Sequence, residues 1–187
     1  MIIQEPKLIF IHIPKNAGTS IESIFKPYVR LNNLVNRHAS INDIKSKLPS
    51  IYKKYTKFTV IRNPYDRAAS YYSYLKEYNK LFRAPWNISF IDWLKNPEKV
   101  EIPFNSDWIN KLGYFNNQSE WIDETVMVLK YEKLEKELTS FLKKEINLPK
   151  LNNTNKGKYL DYYNEESLDI VYNRHKDDFK KFNYKKL

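Results

Sequence analysis

Two short segments of the chain carry residue types that could bind phosphate-like groups. In the first, Lys15, Gly18, Thr19 and Ser20 follow the apolar run of residues 7–13. Glycine lets backbone amides approach a ligand closely, and a helix that begins here offers unpaired N–H groups and a partial positive charge to an anion. The lysine and hydroxyl side chains add a cation and further donors. The segment therefore predicts a loop that binds an anion.

The second candidate is Arg62, which follows the apolar run of residues 57–61 and precedes Asn63 and Pro64. A guanidinium group presents a rigid fork of donors that matches two phosphate oxygens at once. Asn-Pro favours a turn between a strand and the following element. On a helix that starts after this turn, Ser70 lies about two turns in and faces back toward the loop. Arg62 therefore predicts a second phosphate contact.

The order of residues in the first loop differs from that of an ATP-binding loop. The ATP-binding pattern is G-x-x-x-x-G-K-[ST], in which the lysine follows a glycine. Here Lys15 precedes Gly18 by three residues, and no acidic ligand for Mg²⁺ stands clearly after the later apolar runs. These features count against a kinase or NTPase, which stays open as an alternative.

Composition narrows the class of protein further. The chain has 187 residues, a formal net charge of +10 and a hydrophobic fraction of 42%. This length fits one domain with a hydrophobic core, and we predict a single domain over residues 1–187. The positive charge favours anionic partners without choosing among nucleotides, nucleic acids, glycans and membranes. The lack of cysteine excludes disulfides and thiolate chemistry, and the three scattered histidines predict no metal site.

The apolar patterns also indicate the fold class. The predicted strands are residues 7–13, 57–61 and 125–129, and the predicted helices are residues 21–25, 68–78, 131–145 and 165–179, with Thr19 or Ser20, Ser40 and Asn164 near helix starts. Strands that alternate with helices predict a three-layer α/β domain with a central parallel sheet flanked by helices. The loops after neighbouring parallel strands share one edge, where ligands bind. We expect both phosphate-binding segments there.

The N-terminal segment bears on the location of the protein. Residues 1–13 contain no apolar run longer than six residues. That is too short for a signal-peptide core or a membrane span. We therefore predict no transmembrane segment and a cytoplasmic protein. The starting methionine and the lack of cysteine argue against a luminal enzyme.

Both segments resemble the cofactor loops of one enzyme family. I-P-K-N-A-G-T-S after residues 7–13, and F-T-V-I-R-N-P-Y-D-R-A-A-S ending at Ser70, are similar to the motifs of the PAPS-dependent sulfotransferases. PAPS is 3′-phosphoadenosine-5′-phosphosulfate. The nearest branch holds the carbohydrate and uronyl 2-O-sulfotransferases and their bacterial relatives. The resemblance covers nearly the whole chain, except residues 83–116, and implies a P-loop-like fold. That weakly matching part is our candidate for acceptor specificity.

The resemblance implies a set of residues that bind PAPS and its product PAP. The backbone of the first loop would hold the 5′-phosphosulfate, Arg62 and Ser70 the 3′-phosphate, and a basic loop near the C-terminus would close over the cofactor. The residues so assigned are Lys15, Asn16, Ala17, Gly18, Thr19, Ser20, Arg62, Ser70, Lys156 and Lys158. Lys15 is also assigned a catalytic role, because its charge would stabilise the leaving phosphate. For Lys156 and Lys158, an ordinary solvated loop is an equal alternative.

The transfer also needs a base for the acceptor hydroxyl. His38 is assigned this catalytic role, because a histidine between the two loops serves as the base in the resembled branch. The alternative is that His38 only caps the helix near Ser40. We expect His12 to be packed in the first strand and His175 to be solvated on its helix. Glu22 is a reserve candidate for the base.

The predicted activity is transfer of a sulfuryl group from PAPS to a hydroxyl, with a carbohydrate as the predicted acceptor and no metal. Two other classes stay open beside the kinase or NTPase. One is a basic protein that binds nucleic acid or glycans, supported by the net charge and many tyrosines. The basic residues are dispersed, and tyrosines at helical spacing, such as Tyr71, Tyr74 and Tyr78, indicate packing, so no nucleic-acid partner is predicted. The other is a cofactor-binding protein without transfer activity.

Overall fold

A computed structural model describes residues 1–26, 29–30, 35–81, 86–97, 115–149 and 158–187. It divides into two compact units. The first unit comprises Met1–Arg62 and Gln118–Asn152, and the second comprises Asn63–Asn117 and Asn153–Leu187. A single domain over residues 1–187 stays a prediction.

The first unit is built on a five-stranded sheet with the order β3-β1-β2-β4-β5. The strands are β1 (Ile2–Ile3), β2 (Leu8–Ile11), β3 (Val29–Arg30), β4 (Thr56–Ile61) and β5 (Val126–Lys130). β2, β4 and β5 are parallel, whereas β1 is antiparallel to β2 and β3. The three parallel strands correspond to the three predicted apolar runs. The two-residue strands β1 and β3 are too short to leave a periodic pattern in the sequence.

Helices alternate with these strands along the chain. They are α1 (Gly18–Phe25), α2 (Ile41–Lys47), α3 (Pro49–Lys54), α4 (Pro64–Leu81), α5 (Phe90–Lys95), α6 (Leu134–Leu142), α7 (Glu165–Arg174) and α8 (Lys176–Lys181). α1 and α6 pack through Ile21 and Leu138 on the sheet face that carries Phe10 and Phe58. Every residue of β2 is buried, so both faces of this strand are covered. The predicted α/β fold with a mostly parallel sheet flanked by helices is confirmed.

Aromatic packing dominates the second unit. Its core includes Tyr65, Tyr72, Phe90 and Trp93. The rings meet mainly edge to face, as in the pair of Tyr72 and Phe90, whose centroids are 5.2 Å apart. Such pairs add stability beyond the area they bury. The buried tyrosines of α4 are therefore packing residues, as their helical spacing predicted.

The C-terminal helical segment departs from its prediction. One helix was predicted over residues 165–179, but the structure breaks it at His175 into α7 and α8. His175 has φ of −114° and ψ of 28°, outside helical values. The predicted cap is present, because Asn164 and Ser167 form a reciprocal capping box at the start of α7. Within the described residues, no helix is both long enough and apolar enough to cross a bilayer.

Candidate active site

The loop between β2 and α1 has the backbone of an anion-binding turn. Lys15 and Ala17 adopt left-handed conformations, with φ of 69° and 60°. Ala17 is the N-cap of α1 and makes no capping hydrogen bond with its side chain. Thr19 and Ser20 were expected near the start of this helix, and both lie in its first turn, one to two residues after Gly18. The amides of this turn have no side-chain cap at Ala17, which favours an anion at this end.

Gly18 is required because the ring of His12 occupies the space beside it. A Cβ atom at residue 18 would lie 1.7 Å from Nε2 of His12. No side chain fits there without moving His12, which is itself 4% exposed. The histidine ring thus fixes the distance between the end of β2 and the start of α1. His12 is a packed residue, as expected, although it follows β2 directly rather than lying within the strand.

Arg62 brings the two predicted loops together at one edge of the sheet. β2 and β4 are parallel neighbours, so Arg62 follows β4 close to where Lys15 follows β2. Nη1 of Arg62 donates to the carbonyl of Lys15 at 3.0 Å. The guanidinium lies 4.0 Å from the ring centroid of Tyr131, and the residue is 5% exposed. A planar cation stacked on an aromatic face is held in one orientation.

A buried amide network supports both loops, and sequence reasoning missed it. Gln118 accepts hydrogen bonds from Nδ2 of Asn16 at 2.7 Å and from the backbone N–H of Arg62 at 2.9 Å. Its own Nε2 donates to the carbonyl of Arg62 at 2.9 Å. Nδ2 of Asn16 donates to both Gln118 and the carbonyl of Val60, and the residue is 1% exposed, so we expect Asn16 to contact a ligand through its backbone. No local pattern in the sequence marks Gln118 as a partner of these loops.

The hydrogen bond of His38 fixes its tautomer. Nδ1 of His38 lies 2.9 Å from the carbonyl oxygen of His12. A carbonyl only accepts, so Nδ1 carries the proton, and in the neutral ring the lone pair is on Nε2. Burial, with the nearby charge of His12 as a smaller cause, lowers the pKa of His38 to about 4. His38 is therefore neutral at pH 7, the state in which an imidazole can accept a proton.

Glu22 joins His12 to the segment that carries His38. One carboxylate oxygen of Glu22 lies 3.1 Å from Nδ1 of His12 and 2.8 Å from Nε of Arg37, and the other accepts from Nη2 of Arg37. Burial by itself would raise the pKa of Glu22, but the hydrogen bonds from His12 and Arg37 outweigh it and lower the pKa to about 2. A carboxylate held so strongly ionised is a weak base. The low pKa of Glu22 therefore favours His38 over Glu22 as the candidate base.

Two of the remaining predicted site residues, Ser70 and Lys158, belong to the second unit. Ser70 is buried on α4 in the second unit, and Lys158 is exposed just before the short 3-10 helix Tyr159–Tyr162. Lys156 lies outside the described residues. The expectation that His175 is solvated is wrong, since the residue is 1% exposed. Its Nδ1 lies 3.3 Å from Oδ1 of Asn117, and its ring packs on Phe115.

One of three comparisons with known proteins gives a match. A family model described as the sulfotransferase family matches residues 1–185. Comparison with curated proteins and with solved structures gives no match. The family match covers almost the whole chain, including both loops and His38. The chain therefore belongs to the sulfotransferase family of PAPS-dependent enzymes.

Proposed function

We propose that this enzyme transfers the sulfuryl group of PAPS to a hydroxyl group of a carbohydrate, with His38 as the base. The observation that carries the proposal is the position of His38 in the first unit. Its ring lies 4.4 Å from that of His12, the residue that also packs against Gly18 of the anion-binding loop. His12 thus contacts both the proposed base and the proposed anion-binding turn.

The donors of the loop fit a sulfate or phosphate group. The left-handed turn at Lys15 and Ala17 is the kind of backbone concavity that binds anions, and the start of α1 adds its partial positive charge. We assign the 5′-phosphosulfate to the amides of residues 16–20, with Lys15 neutralising the charge that develops on the leaving phosphate. PAPS supplies the sulfuryl group when bound and leaves as PAP.

His38 acts on the acceptor. Its Nε2 receives the proton of the acceptor hydroxyl as the oxygen attacks, while Nδ1 keeps its bond to the carbonyl of His12. The same bond orients the ring before the proton moves, so no tautomer exchange is required. Positioning and electrostatics then supply most of the rate enhancement, as in phosphoryl transfer.

The 3′-phosphate is assigned to Arg62 and Ser70. Arg62 supports this through its fixed orientation on Tyr131, which suits a fork of donors aimed at phosphate oxygens. The assignments of Ser70, Lys156 and Lys158 rest on the sequence resemblance. A contact of Arg62 and Ser70 with the 3′-phosphate would distinguish PAPS from nucleotides that lack this group.

The acceptor class rests on two features of the sequence. The motifs resemble the branch that acts on carbohydrates, and the net charge of +10 favours an anionic or polar glycan. A direct test is transfer of ³⁵S from labelled PAPS to a panel of glycans, simple alcohols and phenols. The proposal predicts label on glycans, and a turnover that falls by about a hundredfold or more in Lys15→Ala, as for loss of one transition-state contact.

The controls separate the parts of this proposal. Lys54→Ala is the matched lysine variant for Lys15→Ala, because Lys54 is an exposed lysine of α3 with no assigned role, and its loss should leave turnover unchanged. Label on phenols but not on glycans would contradict the carbohydrate acceptor alone. No transfer to any hydroxyl compound, together with Mg²⁺-dependent ATP turnover, would replace the proposal by the kinase alternative.

A further inference from the structure

Three buried side-chain hydrogen bonds join Gln118 to the two cofactor loops. The residue is fully buried and begins the short 3-10 helix Gln118–Trp121, which precedes β5. Two of its bonds pair with the peptide groups of Arg62, one with the N–H at 2.9 Å and one with the carbonyl at 2.9 Å. In the third bond, Nδ2 of Asn16 donates to Oε1 of Gln118 at 2.7 Å.

These bonds set the position of Arg62 from both sides of its Cα atom. Its backbone is held by Gln118, and its guanidinium is held by the carbonyl of Lys15 and the ring of Tyr131. The same Gln118 oxygen that receives the Arg62 N–H also receives Asn16, which in turn donates to the carbonyl of Val60 at 2.7 Å. The amide group of Gln118 therefore links the position of the first loop to the position of the second.

The chemistry of this position admits few replacements. Gln118 must accept two hydrogen bonds and donate one, which a primary amide can do and a carboxylate or an aliphatic chain cannot. Loss of the amide would remove a hydrogen-bond partner from both peptide groups of Arg62, so the loop would lose the contacts that hold it to Gln118. A shift of about 1 Å at a binding group is enough to weaken a bidentate contact.

We propose that Gln118 is a positioning residue that fixes the spacing of the 5′-phosphosulfate loop and Arg62, so that both ends of the cofactor are held at once. The inference rests on the proposed function, because it requires that Arg62 contacts the 3′-phosphate. It also explains how specificity for a 3′-phosphorylated nucleotide depends on a residue that cannot itself reach the ligand.

The test compares two ligands that differ only in the 3′-phosphate. Calorimetric titration with PAP and with 5′-AMP gives the ratio of their affinities for the wild-type protein and for Gln118→Met, which keeps the side-chain length without the amide. We expect the preference for PAP over 5′-AMP to fall about tenfold or more in the variant, since a hydrogen bond to a charged group is lost. The affinity for 5′-AMP should change much less.

A matched control removes one buried hydrogen bond from the same sheet without touching the loops. Thr59 is fully buried on β4, and its hydroxyl donates to the carbonyl of Ile11 at 2.8 Å. Thr59→Val should lower Tm and leave the ratio of PAP to 5′-AMP affinity unchanged. If Gln118→Met does not fold, Gln118→Glu serves instead, because it keeps the two accepted bonds and loses the donor to Arg62.

The outcomes distinguish this inference from the proposed function. An unchanged ratio in a folded Gln118 variant, with a wild-type protein that prefers PAP, would overturn the inference alone. Equal losses for PAP and 5′-AMP in Gln118→Met would also overturn it, since they indicate general destabilisation. A wild-type protein without preference for PAP would overturn the assignment of the 3′-phosphate to Arg62 and the inference with it.

Discussion

Each of the two units holds a histidine that is neutral at pH 7, half-buried His38 in the first and fully buried His175 in the second, and their surroundings differ. His38 of the first unit stands just before α2, bonded to a backbone carbonyl, and has a pKa of about 4. His175 of the second unit lies between α7 and α8 beside Phe115, and burial, with smaller effects of Arg67 and Arg174, lowers its pKa to about 3. A lowered pKa by itself therefore does not identify the base. What favours His38 in our proposal is its contact with His12, which packs against Gly18 of the loop between β2 and α1.

Replacement of the two histidines gives the largest expected contrast. His38→Ala should lower kcat by about 10² to 10⁴, the range supplied by a general base. Affinity for PAP should stay near the wild-type value. Added imidazole should restore part of the activity, because it can occupy the space of the lost ring. Steady-state transfer of ³⁵S with and without imidazole measures kcat and its recovery, and calorimetric titration measures the affinity for PAP.

The matched change in the second unit is His175→Phe, which keeps an aromatic ring in the aromatic core. It should lower stability and leave kcat of the folded enzyme within about twofold, because the proposal gives this residue no role in the transfer. A near-normal kcat for His38→Ala, or no response to imidazole, would move the base elsewhere.

Gly18→Ala tests the packing of His12 against the anion-binding loop. The added methyl group would meet the ring of His12, so we expect a loss of about 1–3 kcal/mol of stability, as for overpacking, and weaker binding of PAP. His12→Ala in the same chain should recover part of both losses. Urea denaturation and PAP titration of the two single variants and the double variant form the cycle. Additive losses would show that the two residues do not share this space.

The ion pairs of the two units offer a third contrast. Glu22→Gln should lower kcat about tenfold, because Glu22 binds both His12 and the segment that carries His38. Glu166→Gln removes an exposed partner of Lys95 on α7, at 2.7 Å, and should change stability by less than about 0.5 kcal/mol and kcat not at all. Equal kinetic effects of the two variants would refute a role of Glu22 in placing the base.

Several parts of the fold and the site could be predicted from the sequence because their causes are local. Continuous apolar runs marked the three parallel strands, and Ser40 marked the start of α2 through its reciprocal capping box with Asp43. The loop containing Gly18 was recognisable from its residue types and its place between a strand and a helix. Arg62 was expected beside the first loop because it follows a second strand of the same parallel sheet.

Other features depend on contacts between distant residues and left no local signal. Ala17 is the left-handed N-cap although glycine favours that conformation, so the surrounding structure imposes it. Gln118 reaches Asn16 from 102 positions along the chain. His175 looked solvated because its neighbours in sequence are charged, whereas its environment is set by Phe115 and Asn117. Such environments require the assembled fold.

The two histidines also predict a pH dependence of stability. In the unfolded chain a histidine has a pKa near 6.5, whereas His38 and His175 in the folded protein have pKa values of about 4 and about 3. Between these values the unfolded state binds more protons. The contribution of these two histidines to the free energy of unfolding should therefore be complete above pH 6.5 and fall as the pH drops toward 3. Urea denaturation at pH 7.5, 6 and 5 measures this decline.

His175→Phe sharpens the comparison by removing one of the two groups. The decline of its unfolding free energy between pH 7.5 and 5 should be shallower than in the wild type, by up to about 1.4 kcal/mol per pH unit for one histidine. An identical decline in the two proteins would contradict the neutral state of buried His175.

Titration calorimetry of the wild-type protein with PAP, 5′-AMP and ATP, with and without Mg²⁺, tests the central claim most directly. We predict micromolar binding of PAP, much weaker binding of 5′-AMP and no requirement for Mg²⁺. That result would support PAPS as the sulfuryl donor and the two loops as its site. Binding of ATP that depends on Mg²⁺, without binding of PAP, would contradict the claim.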